Sequence, residues 1–248
     1  MIIEKAVEKQ FNRFFHRKGK LMKYRFLLFD LDNTLLDFDA NEAQALPRVF
    51  AAHGVTLTPE IRSVYDEINH GLWRDYETGK VAIETVLNTR FAKTMQHFGA
   101  EADGAAWERD YRRFLGDGHD PIPGAVELCK NLAAAHTYEM YVVTNGVAAT
   151  QEKRMREAGI EDCFRAVFNS ESIGAQKPSA AFFDYVFAHI DGFDRTRALL
   201  IGDSPTADIA GGRNAGLATC WFDRKGSGAS VPADYTIRAL DELYEILK

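Results

Sequence analysis

Cysteine is scarce. The chain of 248 residues has three, Cys129, Cys163 and Cys220, widely spaced, odd in number and with no C-x-x-C pair. A disulfide framework is therefore not expected, and free thiols held as small apolar groups in a reducing compartment are. Charge of one sign is also unremarkable. The formal net charge is −6 with no long basic tract, which argues against nucleic-acid binding by charge alone. A small phosphorylated ligand stays open, because an acidic protein can carry a locally positive site. No apolar run approaches membrane-spanning length, and the amino terminus lacks the apolar core of a signal peptide. A cytoplasmic protein with no membrane partner is the expectation. The seven histidines are scattered without metal-ligand spacing, and neither an internal repeat nor a low-complexity segment appears.

Apolar and charged residues are present in ordinary globular proportion, 46% and 27%. The length suits one domain, or a domain carrying a sizeable insertion. The stretch from Tyr24 to Phe29 is almost wholly apolar, as expected of a strand buried on both faces of a parallel sheet. It stops at Asp30 and Asp32, with Thr34 two positions on. Buried charge is costly unless paired or metal-bound. Carboxylates at such a strand tip point to a site at the carboxyl edge of the sheet, where open α/β folds bind ligands.

Ahead of that strand, Val7, Phe11, Phe14 and Phe15 recur at helical spacing among basic residues between Glu4 and Lys20. This reads as a helix packed on its own domain, or as an extension before a second natural beginning at Met22, with a basic membrane-surface helix as the alternative. After the strand come four helical patterns, Asn41 to His53, Pro59 to Glu77, Val81 to Phe98 and Ala105 to Phe114, punctuated by glycines and uninterrupted by any strand. That is far more helix than a βαβ crossover needs. Residues 39–117 are therefore expected as an inserted helical subdomain, with 1–38 and 118–248 forming the core.

Alternation then resumes. Strands are predicted at Glu139 to Thr144, Ala166 to Asn169, Ala198 to Gly202, Ala218 to Phe222 and Tyr235 to Ile237. The helices between them start at Gly124, Thr150, Ala180 and Thr206, and a last one runs from Leu240 to Leu247. Repeated β-α-β order implies an α/β, Rossmann-like parallel sheet with helices on both faces. Thr144-Asn145-Gly146, Gln176-Lys177-Pro178 and Gly202-Asp203 through Asp208 all follow strands and so converge with Asp30 on one edge. Taken singly, Thr144 can merely end a strand, Lys177 can be a solvated loop lysine, Asp203 a turn residue and Asp208 a helix-start acid. Convergence is what those readings leave unexplained. Acids, a lysine and a threonine at one edge suit a divalent cation and a phosphate.

Asp30-Leu31-Asp32-Asn33-Thr34, Thr144, Lys177-Pro178 and Asp203 with Asp208 resemble, in order, the four motifs of the haloacid dehalogenase-like hydrolase superfamily. The resemblance spans the chain from about Tyr24 onward. True haloacid dehalogenases lack an acid two residues after the nucleophile, so Asp32 points to the phosphoryl-transfer branches. The resemblance implies Asp30 as nucleophile, forming an aspartyl-phosphate, and Asp32 as general acid and base. It implies Mg²⁺ held by Asp30, the Asp32 carbonyl and Asp203. Asp208 either completes that shell through water or orients Lys177. Thr144, the N–H groups of Asn145 and Gly146, and Lys177 are implied to bind the phosphoryl group.

The texture of Ile68 to Trp73, Gly202 to Gly216 and Thr219 to Phe222 is most similar to the pyrimidine 5′-nucleotidase branch, which implies a nucleoside monophosphate substrate. Phosphatases of sugar phosphates or phosphoglycolate share the same motifs and are the alternative; a non-catalytic binding module is the second. The helical insertion resembles the family's cap. Asn69, Trp73 and Tyr76 fall at helical spacing on it, where the aromatics can stack on a base and Asn69 can hydrogen-bond it. Otherwise Trp73 is internal packing and Asn69 faces water. The expected partner is a small phosphorylated metabolite, and the chain is expected as a monomer or homodimer.

Overall fold

The structure is a computed structural model, and it describes residues 22–248. The helix expected between Glu4 and Lys20 lies outside the described residues. Six parallel strands form one sheet: β1 (Phe26–Phe29), β2 (Glu139–Thr144), β3 (Ala166–Asn169), β4 (Ala198–Gly202), β5 (Ala218–Phe222) and β6 (Tyr235–Ile237). Their spatial order is β3-β2-β1-β4-β5-β6. The order in which the chain adds strands switches side at β1, with Phe29 level with Val142 on one side and Ile201 on the other. Such a reversal opens a crevice at the carboxyl edge, and Asp30 stands in it.

Side chains of a strand alternate between faces. Leu27 and Phe29 join Met140, Val142, Leu199 and Ile201 against α5 (Ala125–Ala134). Phe26 and Leu28 join Tyr141, Val143 and Leu200 against Phe182, Phe183 and Val186 of α8 (Ala180–Ala188). With both faces covered, β1 is wholly buried, which is why its sequence is continuously apolar.

Between β1 and α5 lie α1 (Phe38–Ala52), α2 (Pro59–Glu77), α3 (Ile83–His97) and α4 (Gly104–Leu115). They pack on one another around Phe50, Tyr65, Phe91, Trp107 and Tyr111. The ring of Phe50 meets that of Trp107 edge-on at 5.0 Å, a geometry aromatic pairs favour. Helix α1 starts three residues earlier than the apolar periodicity suggests, because the Asp37 carboxylate accepts from the Ala40 N–H at 3.1 Å and caps it.

Beyond the insertion, α6 (Ala148–Glu157) follows β2, and a single unpredicted turn, α7 (Ser170–Ile173), is capped by the Asn169 side chain. The continuous helix expected from Thr206 to Ala215 is instead a π-helical turn, Pro205–Ala210, leading into α9 (Gly211–Asn214). Asp208 holds that turn open by accepting from the Ser204 N–H at 3.0 Å while its other oxygen is committed to Lys177. The last helix is likewise split, into a 3₁₀ turn at Leu240–Glu242 and α10 (Leu243–Ile246). Cys129 and Cys220 are buried, Cys163 is half-buried, and all three are free. Among the described residues no helix is long and apolar enough to cross a membrane.

Candidate active site

The Asp30 N–H continues the sheet ladder onto Ile201 O at 2.8 Å, so the carboxylate leaves the strand tip at a fixed angle. Lys177, 1% exposed, meets it there. The lysine Nζ donates to Asp30 Oδ1 at 2.7 Å, Asp208 Oδ1 at 2.6 Å and Val143 O at 2.8 Å. All three donors of the ammonium are thereby used. Its backbone is clasped as well: Asn145 Nδ2 donates to Lys177 O at 3.0 Å, and Asn145 Oδ1 accepts from Lys177 N at 2.9 Å. The loop from β3 to α8, whose Lys177–Pro178 peptide is cis, is thus tied to the end of β2. Thr34 Oγ1 donates to Asp30 Oδ2 at 3.3 Å.

Asp203 completes the cluster. Carboxylate oxygens of Asp30, Asp203 and Asp208 lie within 4.8 Å of one another. Burial is the main reason the Asp30 carboxyl is pushed up to about 7; Lys177 pulls it down, and Asp208 and Asp32 push it up further. Asp203 is raised well above the usual carboxylate range, by burial first and then by Asp30 and Asp208. Burial disfavours the charge on Lys177, but Asp208 and Asp30 outweigh it and hold the ammonium charged. Three carboxylates around one lysine leave negative charge unmatched. The donors are hard oxygens at close quarters, the set that suits Mg²⁺.

Asp32 is placed differently. Its side chain is 27% exposed and opens on the same cavity. Oδ1 accepts from Arg154 Nη1 at 2.5 Å and Oδ2 from Gln151 Nε2 at 2.6 Å. Thr144, 1% exposed, accepts at Oγ1 from Gly146 N at 3.0 Å and from Gln151 Nε2 at 3.3 Å. A Cβ on Gly146 would stand 2.0 Å from Gln151 Nε2. The missing side chain at 146 is therefore what lets Gln151 reach in, and the Gly146 N–H is turned back onto Thr144.

These groups floor a cavity of about 460 Å³ whose other wall is the helical insertion, through Asn69, Trp73, Glu77 and Arg90 among others. Asn69 is buried, and its Oδ1 accepts from Arg90 Nη1 at 3.2 Å, so it does not face water. Trp73 borders the cavity. Tyr76 does not: it packs with Leu72 and Val86, its ring edge-on to Trp73 at 5.8 Å. Its main-chain carbonyl accepts from Gln176 Nε2 at 2.7 Å, which ties this helix to the loop after β3. Thr206 Oγ1 likewise donates to Glu77 Oε2 at 2.9 Å, so Glu77 takes the place on the cavity wall that the spacing suggested for Tyr76.

Residues 24–216 match the haloacid dehalogenase-like hydrolases. The chain belongs to that family. It is 47% identical over 229 residues to the HAD-hydrolase YfnB of Bacillus subtilis, covering 92% of this chain and 97% of that protein. The crystal structure of YfnB bound to magnesium, which reveals interdomain movement, superposes with a TM-score of 0.87 at 47% identity, over 91% of this chain and 99% of that one. The pyrimidine 5′-nucleotidase PynA of Streptococcus pneumoniae is 41% identical over 202 residues, 82% of this chain and 85% of its own. The pyrimidine 5′-nucleotidase YjjG of Escherichia coli is 32% identical over 228 residues, 91% of this chain and 99% of its own.

The places of Asp30, Thr144, Lys177, Asp203 and Asp208 after strands are enough to bring them to one cavity, whereas no motif marks Gln151, Arg154, Glu77 or Arg90. A signal existed for the first two. Helix α6 buries Thr150, Gln151, Arg154 and Met155, so polar residues occupy inward positions where an amphipathic helix should be apolar. Nothing in the spacing of Arg90 and Glu77 sets them apart from the other charges of their long helices, and only packing brings them to the cavity.

Proposed function

We propose that this member of the haloacid dehalogenase-like hydrolases is a Mg²⁺-dependent phosphomonoesterase that acts on nucleoside monophosphates, pyrimidine ones foremost. The observation that carries the chemistry is the buried Asp30 carboxylate, held at the cleft by Lys177 with Asp203 and Asp208 alongside. Asp30, Asp203, Asp208 and the main-chain carbonyl of Asp32 would hold Mg²⁺, which neutralises charge on the transferring phosphoryl group. An Asp30 oxygen attacks phosphorus as the bond to the ester oxygen breaks, and the departing oxygen takes the proton of Asp32. Asp32, now ionised, takes a proton from a water whose oxygen attacks the phosphorus carried on Asp30. Inorganic phosphate leaves, and both aspartates are restored. Thr144 has its hydroxyl proton to donate to a phosphoryl oxygen, and Lys177, its three N–H groups spent, supplies a fixed positive charge beside it; such preorganised charge is where most of the catalysis of these transfers resides.

Residues 39–117 serve in this reading as a cap that excludes water and bulky substrates. Support for the nucleotide comes from the relatives PynA and YjjG and from the Trp73 ring bordering the cavity. The chemistry is tested by Asp30→Asn, expected to lower Mg²⁺-dependent phosphate release by roughly 10⁴-fold. Undiminished turnover would sink the assignment. The substrate is tested on a panel of nucleoside monophosphates, sugar phosphates and phosphoglycolate; kcat/KM highest for a sugar phosphate would move the reading to that class.

A further inference from the structure

The mechanism needs Asp32 at one place and in one orientation, yet Asp32 sits in a turn beyond the end of β1. We infer that Arg154, with Gln151, is the positioning residue that supplies this, anchoring the Asp32 carboxylate to the point where the chain returns from the helical insertion. The inference rests on the phosphomonoesterase reading, not on its nucleotide part.

Arg154 is fully buried, on the inward side of α6. Burying a guanidinium is costly unless its donors are used. Here Nη1 donates to Asp32 Oδ1 at 2.5 Å and to Gln151 Oε1 at 2.9 Å, and Nε donates to the carbonyl of Gly118 at 3.1 Å. Gln151 spends both ends of its amide in the same set, accepting from Arg154 and donating to Asp32 Oδ2 at 2.6 Å. Each Asp32 oxygen thus takes one N–H. About half of the carboxylate's lone-pair sites remain for the proton it must carry. Two donors three residues apart on one rigid helix fix both oxygens, and so the plane of the carboxylate, in a way that a single contact cannot.

The third arm gives the arrangement its reach. Gly118 follows α4 and stands in the segment that leads the chain back to the sheet. A Cβ there would lie 2.7 Å from Asn41 Oδ1 on α1, so Gly118 is pressed against the start of the insertion as well as its end. Arg154 Nη2 and both polar atoms of the Asn41 amide are buried with no partner among the described residues. The junction thus retains unspent donors and an acceptor beside a strongly bonded carboxylate. A displacement of the insertion that moves Gly118 acts on the same guanidinium that holds Asp32.

Arg154→Met tests this, with Arg154→Lys as the conservative variant, on an alkyl phosphate that the wild type accepts and on p-nitrophenyl phosphate. The alkoxide must be protonated as it leaves, whereas p-nitrophenolate departs without a proton. For Arg154→Met, kcat on the alkyl phosphate is expected to fall roughly 10²-fold, the cost of a misplaced catalytic group, with KM little changed. On p-nitrophenyl phosphate the first turnover stays fast and later ones slow, giving a burst of one p-nitrophenolate per site, because water activation still needs Asp32. Arg154→Lys recovers part of the loss, and Mg²⁺ binding by calorimetry is unchanged in both. Equal loss on the two substrates in the first turnover, or no loss on either, overturns the inference. If Arg154→Met does not fold, Gln151→Leu decides it by the same leaving-group contrast at smaller amplitude. A wild type inactive on every phosphate ester would end the phosphomonoesterase reading itself.

Discussion

Two clusters of buried charge face each other across the cavity, and they are built to opposite ends. At the strand tips, Lys177 answers Asp30 and Asp208, Asp203 adds a third carboxylate, and Asp30 and Asp203 are both pushed upward. In the helical insertion, Arg90 donates to Glu108 at 2.6 and 3.0 Å and to Asn69, while Arg112 reaches the other Glu108 oxygen at 2.7 Å. Glu42 accepts from Tyr111 and Arg62, both at 2.9 Å. Within this set each acid has a basic partner and the bonds are made. Such a closed set fixes the shape of a wall. The strand-tip set holds three carboxylates against one lysine, and carboxyls pushed upward together in a cleft are a mark of a functional site.

The contrast breaks most sharply at Lys177. Lys177→Met leaves Asp30 and Asp208 without their shared cation, and a fall in kcat of roughly 10³-fold is expected, since in the proposed reaction this charge faces both nucleophile and phosphoryl group. Unfolding in urea should show a loss of about 3 kcal/mol without Mg²⁺, smaller when Mg²⁺ is present. A Mg²⁺-independent loss would mean that the carboxylates are not the metal's ligands. Arg90→Met should behave in the reverse way. It leaves Glu108 Oε2 without its donors, with Arg112 still on Oε1, and is expected to cost about 3 kcal/mol whether or not Mg²⁺ is added. First-turnover chemistry on p-nitrophenyl phosphate should stay near wild type, because no reacting atom is touched. If instead chemistry collapses while stability holds, the insertion's network is part of the catalytic machinery.

The same contrast explains what could be read before the fold was known. Strand tips declare themselves locally: an apolar run such as Phe26 to Phe29 ending in Asp30 and Asp32 is unusual in sequence, and parallel order sends every such end to one edge. The six strands and the core motifs were therefore legible. Arg90, Glu108 and Glu42 lie on three different helices and meet only through tertiary packing, so no spacing rule pairs them. Tyr76 shows the limit of periodicity. Position 76 lies at helical spacing from Asn69 and Trp73, yet its side chain joins Leu72 and Val86, and Glu77 borders the cavity. The split of the expected helix at Thr206 had its cause outside the helix, in the commitment of Asp208 to Lys177 and to the Ser204 N–H.

The gentlest way to sharpen the comparison is to titrate it. The Asp30 carboxyl moves from an ordinary 3.8 to about 7 in the folded protein, chiefly through burial. A raised carboxyl favours the folded state while it is protonated, and that advantage is lost as pH rises from about 4 through 7. The metal-free protein therefore carries its full electrostatic cost above neutrality, where Asp30 is ionised beside Asp208 and Asp203. A divalent cation needs those oxygens deprotonated, so protons and Mg²⁺ compete. Below 7 the apparent Mg²⁺ affinity should fall by up to about tenfold per pH unit for the Asp30 proton alone, and more where Asp203 also takes one. The rise in melting temperature on adding Mg²⁺ should accordingly grow from pH 5 towards 7 and level off above it. Lys177 stays charged throughout, and the matched pairs of the insertion give no reason for a metal-dependent slope. Asp30→Asn should flatten the curve. A curve of the same steepness in that variant would place the titrating group elsewhere than at the tip of β1.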